Sequence, residues 1–241
     1  MDATHFNNFR QYLSQHIIGQ HQLIDSILIC LLSDGHILVE GMPGLAKTTA
    51  VKSMAGAVEG DFHRIQFTPD LLPADLIGTD IYQHERGEFE FRAGPLFHNI
   101  LLADEINRAP PKVQSALLEA MGERQITVGQ HTYPLPELFM VLATQNPVEH
   151  EGTYTLPEAQ LDRFLLYVKV GYPNKQEELQ VIELMEKQQQ KSTSDIVIPK
   201  LSQVEIQEAR TEVMQLYLDP KLKEYIIDLI QASRYPAKFD D

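Results

Sequence analysis

Gly41-Met42-Pro43-Gly44-Leu45-Ala46-Lys47-Thr48 is the stretch that decides the fold of this 241-residue chain. It follows the pattern of a phosphate-binding loop: a glycine, four residues, then Gly-Lys-Ser/Thr. It departs at one position, where Ala46 replaces the second glycine. Just upstream, residues 36–40 form a short apolar run that reads as a buried strand; just downstream, residues 48–58 read as a helix. In a strand–loop–helix of this kind the backbone N–H groups of the loop wrap an anion at the helix N-terminus. Lys47 supplies a point charge to the β- and γ-phosphates of a nucleotide, and Thr48 a hydroxyl to Mg2+. Alanine replaces glycine at position 46 without strain where the backbone is already helical. The expected nucleotide-contacting set is Gly41, Pro43, Gly44, Leu45, Ala46, Lys47, Thr48 and Thr49. The competing reading is an ordinary strand–turn–helix that contains Gly and Lys by chance.

Outward from the loop, short strand-like segments recur at 63–67, 100–103, 139–143 and 165–170. Helical periodicity appears before the loop, at Leu23, Ile24, Ile27, Leu28, Leu31 and Leu32, with Gly35 expected to end that helix, and again at 113–121. Strands alternating with helices predict an α/β fold, a parallel sheet flanked by helices. Two segments break the alternation. Residues 80–92, around Gly87, and 124–133, around Gly129, alternate apolar and polar about a glycine and predict hairpins. After Tyr172-Pro173-Asn174 the chain reads as helical at 177–187, 202–214 and 220–232, so a domain boundary is expected near Tyr172.

The run Ile100-Leu101-Leu102-Ala103-Asp104-Glu105 is an apolar strand ending in two carboxylates. Behind a phosphate loop, this is the Walker B pattern. Asp104 would ligate Mg2+ directly or through water, and Glu105 would act as general base on the attacking water. Magnesium retains waters and phosphate oxygens, so two protein ligands, Thr48 and Asp104, suffice.

With Leu101-Leu102-Ala103-Asp104-Glu105-Ile106-Asn107-Arg108-Ala109-Pro110-Pro111, Ala143-Thr144-Gln145-Asn146-Pro147 and Leu156-Pro157-Glu158-Ala159-Gln160-Leu161-Asp162-Arg163-Phe164 in order behind the loop, residues 17–170 resemble the MoxR family of AAA+ ATPases. The resemblance implies a P-loop NTPase core in 1–172 and an all-helical lid from 173. It makes Asn146 the sensor 1 residue that orients the attacking water; read alone, Asn146 is a strand-end turn residue. It makes Arg163 an arginine finger reaching a neighbouring subunit's γ-phosphate, against a surface ion pair with Asp162 or Glu158. Gly19 and Gln20 fall where such ATPases line the adenine pocket, or simply begin a helix. The hairpins match insertions that often face a ring pore or a client. Tyr82, Phe89 and Phe91 either contact that client or, the preferred reading, pack the hairpin onto the domain. Arg92, Arg108, Glu123 and Arg124 are either interface or plain surface charges. Gln66 and Thr68 would hold Glu105 inactive until a client binds. The pairs His84-Glu85 and His150-Glu151 lack the spacing of a zinc site, and no zinc is expected.

The family's sensor 2 arginine has no counterpart here, since Arg234 lies in a different context. Leu222, Tyr225, Ile226, Leu229 and Ile230 form a helix face that expects a partner. The segment 173–241 is therefore expected to be a truncated lid, and the chain a fragment with weak nucleotide retention and little ring assembly.

The resemblance implies ATP and Mg2+ as cofactors, a hexameric homo-oligomer when full length, and a client or von Willebrand A-domain partner. The activity it implies is ATP hydrolysis driving chaperone-like remodelling or cofactor insertion. Two other classes compete: a nucleic-acid motor and a P-loop small-molecule kinase. With 34 acidic against 20 basic residues the net charge is −14, which disfavours nucleic acid, whose phosphates require a basic patch. Glu105 beside Asp104 reads as water activation and disfavours the kinase. The single Cys30 excludes an intramolecular disulfide and suits a reducing compartment. No apolar run is long enough to span a bilayer, since 24–32 already includes Asp25 and Ser26. A cytoplasmic protein is expected.

Overall fold

A computed structural model describes residues 3–42, 45, 47–147, 153–190 and 198–236. Pro43, Gly44 and Ala46 of the loop, and the His150-Glu151 pair, lie outside the described residues. In chain order the elements are α1 Ala3–His16, α2 His21–Leu32, β1 Ile37–Gly41, α3 Lys47–Gly56 and β2 Phe62–Gln66. Then come α4 Pro73–Ile77, β3 Gly78–Gln83, β4 Glu88–Ala93, β5 Ile100–Asp104, α5 Pro111–Glu123, β6 Gln125–Val128 and β7 His131–Pro134. The chain continues through β8 Met140–Gln145, α6 Glu158–Leu161, β9 Leu166–Val170, α7 Lys175–Gln190, α8 Gln203–Met214 and α9 Pro220–Arg234.

Five strands pair in the order β2-β5-β8-β1-β9, and every pair is parallel. All five C-terminal ends therefore lie along one edge of the sheet, where open α/β sheets place their ligands. The three central strands, β5, β8 and β1, are buried on both faces, which is why they read as apolar runs, whereas the edge strands β2 and β9 are only partly buried. Along β1, Ile37 and Val39 face a core shared with Phe9, Leu13 and Ile17, with Leu23 and Ile27 of α2 and with Val51 and Met54 of α3. Leu38 faces a second core with Phe67, Leu76 of α4, and Val113, Leu117 and Leu118 of α5. The sheet is thus the middle of three layers.

The hairpins β3–β4 and β6–β7 form as separate two-stranded sheets turning at Gly87 and Gly129, both at positive φ. Phe91 of the first stacks on Tyr133 of the second at 4.1 Å between ring centroids, with Phe97 edge-on to Phe91, so packing accounts for Phe91. Tyr82 and Phe89 touch each other and remain exposed.

Two details differ from expectation. The helix before the loop stops at Leu32, and Asp34, not Gly35, takes the left-handed turn. The carboxylate of Asp34 pairs with both Arg124 and Arg210 at 2.6 Å, which holds that turn. The other is α1, an amphipathic helix absent from the sequence reading. Beyond β9, Leu201 bridges to Val58, and Ile206 and Ala209 of α8 bury in the core beside α2. By contrast α9 buries none of its residues, and Leu222, Tyr225, Ile226, Leu229 and Ile230 are all exposed.

Candidate active site

The C-terminal edge of the sheet gathers the expected residues from adjacent strands. β1 leads into the loop, and α3 begins at Lys47. The Lys47 ammonium is half-buried and donates to the Gly41 carbonyl. Burial pulls its pKa below the ordinary lysine value, while the charges of Asp104, Glu105 and Glu40 oppose that shift. Thr48 is partly buried at the helix start and Thr49 is exposed. Leu45 is buried in the core, so it anchors the loop from below.

Asp104 ends β5 and is buried. Its Oδ1 accepts from the Thr144 hydroxyl at 2.6 Å, and its Oδ2 accepts from Arg64 Nη2 at 2.6 Å. The next residue, Glu105, leaves the strand in a left-handed conformation, φ 58 and ψ 49. Its backbone N–H donates to the Thr144 hydroxyl at 2.9 Å. One side chain on β8 therefore fixes both the carboxylate of Asp104 and the backbone turn that aims Glu105 out of the sheet. Backbone strain of this kind, stabilised by an added hydrogen bond, is common where a side chain must face a ligand.

The Glu105 carboxylate is itself engaged. Its Oε2 accepts from Gln66 Nε2 at 2.8 Å and from Arg108 Nη1 at 3.0 Å. Asn146, just past β8 and between β5 and β1 in the sheet order, is buried, and its carbonyl accepts from Asn107 Nδ2. Thr68 hydrogen-bonds Asp70 and not Glu105, so of the two residues expected to restrain Glu105 only Gln66 does so.

Three expected site residues lie outside this cluster, Arg163 at the far end of the sheet and Gly19 and Gln20 beside the C-terminal end of β9. Arg163 precedes β9, at the opposite end of the sheet, beside Gly122 near the C-terminus of α5. With Arg124, His36 and Asp34 it borders a separate cleft of about 450 Å³. It is exposed, and among the described residues it makes no ion pair with Asp162 or Glu158. Gly19 and Gln20 sit between α1 and α2. Gly19 has positive φ, the Glu177 side chain of α7 lies against it, and Gly19 and Glu177 line a cleft of about 310 Å³ with Asn174 and Gln176. Gln20 donates to the Gly171 carbonyl at 3.0 Å, which ties the start of α2 to the end of β9.

The sequence reading missed Arg64 and gave Thr144 no role. Arg64 is a charged residue within a short strand beside the Walker B strand. Thr144 is a hydroxyl one residue before the end of an otherwise apolar strand. Thr144 is a polar exception near the end of a buried apolar run, which is a signal, whereas Arg64 lies in a mixed segment between His63 and Ile65 that carries none.

The oxygen donors at the site, the Thr48 hydroxyl and the Asp104 carboxylate, suit a hard divalent cation such as Mg2+, and Lys47 beside them suits phosphate. Among the described residues there is no cluster of three or more His, Cys, Asp or Glu side chains for another metal.

The AAA model, described as ATPase family associated with various cellular activities, matches residues 36–166. Chaperone MoxR1 of Mycobacterium tuberculosis is 49% identical over 227 residues, which cover 92% of this chain and 58% of that protein. Uncharacterized protein YeaC of Bacillus subtilis is 48% identical over 224 residues, 93% of this chain and 69% of that protein. Protein MoxR of Paracoccus denitrificans is 33% identical over 244 residues, 96% of this chain and 70% of that protein. A solved structure of a Cytophaga hutchinsonii protein, 47% identical, superposes with a TM-score of 0.84 over 98% of this chain and 71% of that one. The chain therefore spans between about half and three-quarters of the length of these relatives.

Proposed function

The chain belongs to the MoxR family of AAA+ ATPases, and on that premise we propose that it hydrolyses ATP to drive conformational change in partner proteins. One observation carries the proposal. Asp104 and Glu105 end a strand two places from the Lys47 strand, and Thr144, on the strand between, fixes both. A metal-ligating carboxylate followed by an outward-facing base, beside a phosphate-binding lysine, suits the delivery of water to a γ-phosphate.

In this reading Lys47 and the loop N–H groups hold the phosphates, and Thr48 and Asp104 hold Mg2+. The cation, when bound, supplies positive charge against the phosphate oxygens. Glu105 takes a proton from the attacking water, and Gln66 and Arg108, both bonded to its Oε2, restrain where the carboxylate points. Asn146 orients that water through its amide. Gly19 and Gln20 face the adenine. Arg163 lies too far from this edge to serve its own chain's nucleotide and acts across a subunit boundary, in a ring of identical subunits that we take to be hexameric. Residues 1–172 form the nucleotide-binding core, and 173–241 supply part of a helical lid. The partners in this proposal are client proteins, among them von Willebrand A-domain proteins and enzymes that receive a metal or cofactor, and the setting is the cytoplasm. The name of the Mycobacterium tuberculosis relative, a chaperone, supports this direction.

The test is Glu105→Gln. The variant should bind ATP with Kd close to that of the parent and lose at least about a hundredfold in turnover, the scale of a removed general base. Unchanged turnover would remove Glu105 from the reaction.

A further inference from the structure

The two carboxylates at the strand end are joined by a side chain to which the proposed mechanism gives no part. Arg64 lies on β2, where Arg64 pairs with Leu102 and Gln66 with Asp104 in register. From there the guanidinium donates to Asp104 Oδ2 through Nη2 at 2.6 Å and through Nε at 3.1 Å. The same Nη2 donates to Gln66 Oε1 at 3.0 Å. Gln66 in turn donates through Nε2 to Glu105 Oε2. One hydrogen-bonded chain thus runs from Asp104 through Arg64 and Gln66 to Glu105.

The order of donors in this chain is forced. Arginine has only donors and an ionised carboxylate only acceptors, whereas an amide has one of each. With its oxygen facing Arg64, Gln66 can turn only its NH2 group toward Glu105. Without Arg64 the amide is free to rotate, and its grip on Glu105 loses direction. At the other end, Arg64 occupies the oxygen of Asp104 that a divalent cation would compete for.

We propose that Arg64 is a positioning residue that couples the metal-binding carboxylate to the base. While its guanidinium sits on Asp104 it orients Gln66 against Glu105, and when it yields Asp104 to a divalent cation the hold on Glu105 loosens. The base is thereby restrained until the metal site is filled. This rests on the reading that Asp104 ligates the metal, and the experiment separates the two.

The experiment measures Mn2+ binding to the chain by electron paramagnetic resonance, with a non-hydrolysable ATP analogue present. Arg64→Met removes the competing cation and should lower the half-saturating Mn2+ by about three- to tenfold, the range of a partly exposed charge-assisted contact. Gln66→Met leaves Asp104 untouched yet weakens the far end of the chain, so it should lower the same value by about twofold. The double variant should be no lower than Arg64→Met alone, because both act through one path. Should Arg64→Met fail to fold, Arg64→Lys is read instead. Its ammonium loses the second, Nε contact to Asp104 and the planar fork that fixes the geometry, so it should hold Asp104 less firmly and also lower the requirement. Unchanged or higher Mn2+ requirement in the Arg64 variants overturns the proposal, and strictly independent effects of Arg64 and Gln66 overturn the coupling. If Asp104→Ala leaves Mn2+ binding intact, it is the metal-site reading that fails; if Asp104→Ala abolishes binding and Arg64→Met changes nothing, only the role of Arg64 fails.

Discussion

Thr144 shows how much one hydroxyl does at this site. It donates to Asp104 and accepts from the Glu105 N–H, so Thr144→Val removes two bonds while keeping the shape. The Glu105 amide, held in a left-handed turn, would lose its partner, at a cost of about 1–3 kcal/mol. Thr144→Val is expected to lower Tm and to weaken Mg2+-dependent nucleotide binding, and Thr144→Ser to restore both; calorimetry and nucleotide titration read them. His36 carries a different residue-scale consequence. It is buried between β1 and α5, and its Nδ1 accepts from the Val141 N–H at 3.0 Å. Burial first, then the Arg124 charge, pull its pKa from 6.5 to about 4, against opposing contributions from the Met121 backbone and Asp34, with Arg210 adding to the fall. Between those values the unfolded chain binds a proton that the folded one refuses, so stability rises with pH. The contribution is complete above pH 6.5 and is lost on acidification toward pH 4, a fall of roughly 3 kcal/mol at most. His36→Asn keeps an acceptor for Val141, and its denaturation midpoint should change less over that window than the parent's. An equal slope in urea titrations at several pH values would exclude His36 as the source.

At the scale of elements, α5 contains a glycine that helix propensity alone disfavours. Gly122 lies in the last turn of Pro111–Glu123, and a side chain there would run into the guanidinium of Arg163. The helix gives up about 1 kcal/mol relative to alanine, and the resulting space lets Arg163 lie across it. Gly122→Ala should therefore hold or raise Tm while lowering turnover in assembled protein, with nucleotide affinity unchanged; a fall in affinity would point to a general defect instead. This dependence could not be read from sequence, because Gly122 and Arg163 are 41 residues apart and only the return of the chain to β9 brings them together. The central strands β1, β5 and β8 were legible for the opposite reason: parallel strands buried on both faces leave continuous apolar runs. Both hairpins were legible from a glycine between alternating residues. The helix α1 was not, although Phe6, Phe9, Leu13 and Ile17 are spaced for one face. Their stripe is narrow and set among polar residues, so composition masked the periodicity. The candidate-site carboxylates Asp104 and Glu105 were legible because strand, loop and spacing agree. Arg64 and Thr144 were not, since only the register of β2, β5 and β8 shows what they touch.

On the scale of the whole molecule, the sheet separates the two groups of residues that the proposed mechanism brings together. Lys47, Asp104, Glu105 and Asn146 stand at its C-terminal edge, and Arg163 precedes β9 at the other. A strand of five residues spans about 16 Å, well beyond the reach of an arginine side chain to the opposite edge. A single chain therefore cannot place Arg163 on a phosphate held by its own Lys47, and the proposed mechanism takes a second copy turned so that one chain's Arg163 faces the other's loop. Head-to-tail contacts of this kind repeat and close into a ring when the rotation allows. The consequence can be tested without resolving the ring. Lys47→Ala subunits cannot hold nucleotide, and Arg163→Ala subunits cannot stabilise a neighbour's transition state, so each assembly alone should be inactive. Mixed one to one in assembled protein, an interface works where an Arg163→Ala subunit holds the nucleotide and a Lys47→Ala subunit supplies the arginine. Random mixing makes about a quarter of interfaces of that kind, so turnover should recover to about that fraction of the parent value. Recovery would place Arg163 and Lys47 of one active site on different chains. A mixture as inactive as its components, despite confirmed co-assembly, would return Arg163 to the role of a surface charge and leave the sheet's two ends functionally separate.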